Sequence, residues 1–246
     1  ACIYFFVLLY VRRKTTFVCI LPRKFSMQKA IVLGVCGVGV PAAIQNLLNV
    51  TGMTILNNFT SAYGAQEVAA MGITQKINMV PLQVAMGFSQ GIMPLISYNY
   101  ASGNHRRMKE TIFFTIKTLL PFLVVVSLGY FAGAGLLTRA FMDNEAIVAY
   151  GTRFLRGFCL GLPFLCMDFL AVGVFQAVGM GKAALSFAIL RKIVLEIPAL
   201  YLLNLLFPLY GLSYAQLVAE LVLSIASVIM LARIFRRMQR EDGASS

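Results

Sequence analysis

The sequence predicts an all-α integral membrane protein, a bundle of six complete transmembrane helices preceded by part of one further helix. Of its 246 residues, 59% are hydrophobic and 12% charged, against about 45–50% and 25% in soluble domains. A chain of this size cannot bury so much apolar surface within itself, and lipid is the remaining solvent for it. The apolar residues fall in runs long enough to cross a hydrocarbon core, which takes about 20 helical residues. The 21 Lys and Arg outnumber the 9 Asp and Glu and gather in short clusters between those runs, as in loops that face anionic headgroups.

Taken in order, residues 1–11 read as the end of a transmembrane helix. Arg12, Arg13 and Lys14 follow it, the reverse of a signal peptide's order. With no initiator Met and an opening inside a helix, the N-terminus reads as cut. The basic stretch 12–30 reads as a cytoplasmic linker between two units. Complete spans are expected at about 31–56, 68–99, 111–137, 146–180, 184–207 and 210–235, so that 31–236 forms one six-helix unit and 237–246 a cytoplasmic tail. Pro41, Pro81, Pro94, Pro121, Pro163 and Pro198 lie within spans, where a missing N–H bends a helix and frees a carbonyl.

Residues 12–29, 104–110, 181–192 and 233–242 carry six, three, three and four Lys or Arg, whereas 57–67, 138–145 and 207–214 together carry only Arg139. The positive-inside rule therefore puts the clusters and the C-terminus on the cytoplasmic side. Arg153 and Arg156, near the outer end of their span, are expected to snorkel to the headgroups.

Several function classes lack their parts. The net charge of +12 does not point to nucleic acid, because no binding motif is present and the basic residues do not interleave with aromatics. Gly34, Gly37 and Gly39 sit in a span without a Walker lysine. The single histidine, His105, lies in a basic loop, and no Ser–His or His–Glu arrangement is available for hydrolysis; the chain reads as a non-enzyme. The five cysteines show no C-x-x-C pair and no histidine at ligand spacing, so free thiols and no metal site are expected.

Carboxylates within spans are expensive and need a reason. Asp168 lies about twelve residues, or about 18 Å, from the cytoplasmic loop; it reads either as a coupling carboxyl or as one held permanently neutral or bonded to a helix neighbour without a transport role. Glu196 follows Lys192 by four residues, the spacing of an intrahelical pair. Glu220 follows Gln216 at the same spacing and has no basic residue near it in sequence. Gln45, Asn46, Asn49, Met53 and Asn57 fall on one helical face. Lys76, Gln83 and Gln90, with Met79 and Met86 beside them, form a second polar, Met-lined stripe, suited either to an adaptable cavity or to bundle packing.

The stretch Gly87-Phe-Ser-Gln-Gly-Ile-Met-Pro94-Leu-Ile-Ser-Tyr-Asn-Tyr100, followed by a basic loop, resembles multidrug and toxic compound extrusion (MATE) transporters. Pro41-Ala-Ala-Ile-Gln-Asn, Cys166-Met-Asp168 and Ala215-Gln-Leu-Val-Ala-Glu220 are similar as well, and the spacing fits a C-terminal lobe across essentially the whole chain. The resemblance implies twelve helices in two lobes, with this chain supplying the second and an N-terminal six-helix lobe as its partner. It implies a secondary antiporter in a bacterial plasma membrane that extrudes amphipathic, cationic small molecules. No cofactor would be needed beyond a coupling ion, H+ or Na+. Asp168 matches the family's helix-ten aspartate, while Asn49 stands in the place of the helix-seven glutamate and Phe164 in that of the tyrosine. The implied ion-coupling residues are Asp168, Asn49 and Gln45, and the substrate surface comprises Asn46, Met53, Lys76, Met79, Gln83 and Phe164. A lipid-linked oligosaccharide flippase of related architecture, or a truncated membrane protein without transport, are the alternatives.

Overall fold

The computed structural model describes residues 28–244, and the predicted partial helix at 1–11 and most of the linker 12–30 lie outside them. Among the described residues the chain is helical without strands: α1 (Lys29–Ser61), α2 (Ala65–Ala101), α3 (His105–Arg139), α4 (Glu145–Cys159), α5 (Leu162–Ala177), α6 (Gly181–Ile189), a π-helical segment (Leu190–Glu196), α7 (Ile197–Leu206) and α8 (Gly211–Ala244). Contacts divide the chain into residues 1–37 and a larger unit, 38–246, which holds the core and the cavities described below. Four helical stretches, Ile31–Ser61, Ala65–Ala101, His105–Arg139 and Gly211–Arg236, are long and apolar enough to cross a membrane by themselves, and α4 and α5 together make a fifth.

The connections are short and locally encoded. Asn104 caps α3 by accepting from the Arg107 N–H at 3.2 Å. Asn144 caps α4 by accepting from Ala146 and Ile147, satisfying N–H groups that a helix start leaves without partners. Gly103 (φ +69°) and Gly179 (φ +78°) turn the chain after α2 and α5 in a backbone region where a side chain is strained. Near one end of the bundle Arg153 donates to the Tyr210 hydroxyl at 2.9 Å and lies over its ring. Arg156 donates to the Phe131 carbonyl at 3.3 Å. Both arginines therefore have protein partners, although they remain exposed.

The single span expected at 146–180 is two helices bent by 48° at residues 160–161. Pro163 explains the break. It has no N–H to offer the Cys159 carbonyl four residues back, and Ser127 on α3 donates to that carbonyl instead, at 2.6 Å. Hydroxyls on α2 serve the same helices along their length. Thr74 donates to the Gly151 carbonyl (3.3 Å), Ser89 to that of Phe169 (2.7 Å) and Ser97 to that of Ala177 (2.8 Å). All three partners advance in the same direction, so α2 runs parallel to α4 and α5. Gly173 makes that approach possible, since a Cβ there would overlap the Ser89 hydroxyl.

The span expected at 184–207 is helical from Gly181 to Leu206, but seven residues in its middle are π-helical. The Ile197 N–H reaches back five residues to the Lys192 carbonyl, as a π-turn requires. Pro198, which cannot donate, follows directly. This corrects the reading of 181–192 as a cytoplasmic loop. Lys182 stays at the start of the helix, whereas Arg191 and Lys192 lie well inside it, and Arg191 is buried.

Large apolar clusters fill the bundle. One, around Ile96, Met108, Phe175 and Phe187, joins α2, α3, α5, α6 and α8. A second, around Met71, Phe154, Leu200 and Leu212, joins α2, α4, α7 and α8 with the C-terminal part of α1 through Leu56. By contrast, α1 keeps Val40, Leu47, Val50 and Met53 exposed, and its polar face forms one wall of the cavities described next. Cys159 and Cys166 are buried free thiols, and Cys36 is an exposed one.

Candidate functional site

The site is built around three carboxylates and two cations carried on α5, α8 and the π-helical segment. Asp168 on α5 and Glu220 on α8 are buried, with side-chain exposures of 2% and 0%. Between them lies Arg191, whose Nη1 is 3.0 Å from Asp168 Oδ2 and whose Nη2 donates to Glu220 Oε1. The guanidinium also stacks over the Phe169 ring, 5.4 Å from its centroid. A planar fork of donors suits this bridging position, where a lysine's point charge would serve one acid at a time. Lys192, the next residue, turns away and holds Glu196 at 2.7 Å.

With all five groups ionised, the cluster has one more negative than positive charge. Its acids are also incompletely partnered, since Asp168 Oδ1 and Glu220 Oε2 are buried without a hydrogen bond among the described residues. An uncompensated charge in this setting is costly, so the arrangement favours one further cation or proton.

The cluster borders one cavity and a cleft, and a second, smaller cavity shares Gln45 and Asn49 with the cleft. The larger cavity, about 190 Å³, lies between α1, α2, and the π-helical segment. Met53, Met79, Met86, Phe158 and Phe169 give it an apolar, deformable surface. Asn49, Gln75, Gln83 and Gln216 add uncharged polarity, and Arg191, Lys192 and Glu196 supply the charge. Asn78 also lines it, and its side-chain oxygen is buried without a hydrogen bond. A smaller cavity of about 90 Å³ is lined by Gln45, Asn46 and Asn49 from α1, by Ser89 and Gln90 from α2, and by Gln176 from α5. Gln176 donates to Gln45 across it at 3.4 Å. A narrow cleft between Gln45, Asn49, Asp168, Arg191 and Lys192 lies by the buried acid.

The structure thus brings together most of the residues singled out in the sequence. Asn49 lines all three spaces. Gln45 shares the cleft with Asp168, Asn46 lines the smaller cavity, and Met53, Met79 and Gln83 line the larger one. Lys76 and Phe164 line none of the three. Lys76 is exposed on α2 and Phe164 half-buried on α5, while Phe158 and Phe169 provide the aromatic surface in the larger cavity. Sequence reasoning found the Lys192–Glu196 pair but missed Arg191, the partner of both Asp168 and Glu220. The available signal was the apolar run 183–190 between Lys182 and Arg191, which at 1.5 Å per residue carries Arg191 more than about 10 Å into a helix.

Helices long and apolar enough to cross a membrane, with ionisable groups buried between them and an amphipathic cavity beside those groups, define a helical membrane-protein fold. The resemblance to solved structures is close. An outward-facing multidrug resistance MATE family transporter of the MOP superfamily matches with a TM-score of 0.87 at 20% identity, over 97% of this chain and 54% of that one. The Vibrio cholerae MATE transporter VcmN in its bent form matches with a TM-score of 0.83 at 17% identity, over 94% of this chain and 52% of that one.

The family profile described as MatE matches residues 41–202, and the chain belongs to that family. Multidrug export protein MepA of Staphylococcus saprophyticus is 32% identical over 92% of this chain and 50% of its own length. MepA of Staphylococcus haemolyticus is 30% identical over 95% of this chain and 51% of its own. The chain spans about half the length of the curated relatives it matches.

Proposed function

We propose that this chain forms the C-terminal lobe of a cation-coupled antiporter that extrudes amphipathic, cationic small molecules from a bacterial cell. It works against an N-terminal six-helix lobe in the plasma membrane, with the C-terminus cytoplasmic. The observation that carries the reading is the buried charge cluster at the edge of the larger cavity, with its surplus negative charge and its two unpartnered carboxylate oxygens. Asp168 Oδ1 offers a place for a proton. Asn49 and Gln45 line the same cleft, and carboxylate and amide oxygens of this kind are the hard ligands that Na+ takes.

Coupling follows from differential binding. Substrate seated on the Met and Phe surfaces and coupling ion held at Asp168 occupy adjoining spaces, so each weakens the other. A ligand moves a conformational equilibrium only by as much as it prefers one state. If the ion favours one orientation of the two lobes and the substrate the other, exchange of the two drives alternating access around a site at the bilayer midplane. The break at residues 160–161 and the π-helical turn are the points in α4–α5 and α6–α7 where the helices can flex without losing further hydrogen bonds. No covalent chemistry is required of the chain.

The test is efflux of a fluorescent lipophilic cation from cells expressing the natural full-length protein, with the proton and sodium gradients collapsed in turn. Wild type is expected to export the dye only while the coupling gradient stands, and Asp168→Asn, at matched expression, to lose export. Export by Asp168→Asn at the wild-type rate overturns the role of Asp168. Absence of gradient-dependent export by wild type overturns the antiport reading.

A further inference from the structure

The Lys192–Glu196 pair takes no part in the Asp168–Arg191–Glu220 bridge, yet it is more than a helical surface pair. Both side chains are largely buried, at 12% and 10% exposure, and both line the larger cavity. Lys192 also lines the cleft that holds Asp168, which Glu196 does not. Lys192 therefore lines the spaces beside two carboxylates, Glu196 in the cavity and Asp168 in the cleft. In this structure it rests on Glu196, at 2.7 Å, while Asp168 Oδ1 is left without a hydrogen-bond partner. Its resting place is shaped by Gly52 on α1, where an added Cβ would come within 3.1 Å of both Cδ and Nζ of Lys192. The π-helical segment sets the two neighbouring cations to separate tasks, with Arg191 directed to the buried acids and Lys192 to the cavity.

We infer that Lys192 is a transferable internal cation that links substrate binding at Glu196 to ion release at Asp168. The inference rests on the antiport reading above and adds the link between its two ligands. An amphipathic organic cation enters the larger cavity, lays its apolar body on Met53, Met79 and Phe158, and takes Glu196 as its counter-ion. The displaced ammonium swings on its four-carbon stem into the cleft and pairs with Asp168. The proton or metal cation held at Asp168 then leaves, because the ammonium has replaced it. One positive charge enters and one departs, so the charge of the cluster is unchanged and no buried carboxylate is left unpaired at either end of the exchange. A neutral ligand can fill the same apolar surface, but it does not displace the ammonium and releases no ion. Glu196 and Lys192 thereby set the charge selectivity of the cavity as well as its coupling.

The experiment measures two quantities on the natural full-length protein purified in detergent, the affinity for tetraphenylphosphonium and the number of protons or Na+ released per ligand bound. Wild type is expected to release one cation per tetraphenylphosphonium bound. Lys192→Gln removes the competitor for Glu196, so tetraphenylphosphonium binds about tenfold more tightly, but without ion release. Glu196→Gln weakens tetraphenylphosphonium and leaves a neutral apolar probe unaffected. Gly52→Ala, which crowds the ammonium without altering any charge, gives a smaller gain in affinity and keeps the release. Release from Lys192→Gln equal to that from wild type overturns the inference while leaving the antiport reading intact. The same is true if affinity shifts equally for the cation and the neutral probe, since that marks a packing role. Wild type that binds tetraphenylphosphonium without releasing any ion removes the coupling reading and this inference with it.

Discussion

Replacing Arg191 with methionine removes the one group that bridges two buried carboxylates, and its cost can be worked from the geometry. At the 3.0 Å separation from Asp168, with an effective dielectric constant of about 20, the Coulombic attraction is about 5–6 kcal/mol. The contact with Glu220 is of similar kind. Most of that attraction offsets the desolvation of the three groups, so it is not net stability. Removing the arginine alone nevertheless leaves the acids buried and uncompensated, and breaking a buried pair in this way costs about 3–5 kcal/mol. Arg191→Met is therefore expected to lower unfolding stability by that amount. The assay is reversible unfolding in mixed micelles, followed by far-ultraviolet circular dichroism across a denaturing-detergent titration. The triple replacement Asp168→Asn, Arg191→Met and Glu220→Gln removes charge and counter-charge together, and it should come within about 1–2 kcal/mol of wild type, because neutral replacements of buried ionic sets are often tolerated. An Arg191→Met protein as stable as wild type would refute the reasoning, since the guanidinium would not then be holding buried charges together.

Three further outcomes are expected. Ser127→Ala leaves the Cys159 carbonyl without the donor that Pro163 cannot supply, and should cost about 1–3 kcal/mol in the same titration. Gly173→Ala should destabilise by about 1–3 kcal/mol through overlap with the Ser89 hydroxyl; adding Ser89→Ala should recover part of that loss, and simple additivity of the two would contradict the proposed contact. Asn78→Leu replaces a buried amide whose oxygen has no hydrogen bond, so stability should change by less than about 1 kcal/mol. Affinity for a hydrogen-bonding ligand should nevertheless fall if that oxygen faces the substrate, as equilibrium binding would reveal.

Much of the architecture was legible because lipid imposes simple rules. Long apolar runs gave the middles of α1, α2, α3 and α8, whose ends lie between one and nine residues from the expected span limits because polar turns extend the helices beyond the apolar stretch. Legibility failed where a residue's role depends on a partner remote in sequence. Glu220 has no basic neighbour along the chain, yet it lies against Arg191, 29 residues away, once α8 packs beside the π-helical segment. Arg191 reads as part of a cytoplasmic cluster because arginine beside lysine is the ordinary mark of a cytoplasmic connection. The apolar run 183–190 places Arg191 inside a helix, but nothing in local composition names the buried acids that satisfy it. The amide face of α1 was readable from helical spacing alone: Gln45, Asn46, Asn49 and Met53 line the cavities, whereas Asn57 lines none of them and accepts from Gln75. Lys76 and Phe164 were placed by stripe and by resemblance respectively, and packing leaves both away from the cavity walls.

The central claim is that a coupling ion held at Asp168 is exchanged for substrate bound in the adjoining cavity. Reconstituting the natural full-length protein in liposomes tests it most directly, with proton and sodium gradients imposed separately and uptake of ethidium followed by fluorescence. Wild type should accumulate the dye only when the coupling gradient is present, and Asp168→Asn should bind ethidium but fail to accumulate it. Gradient-driven accumulation by Asp168→Asn at the wild-type rate would contradict the claim.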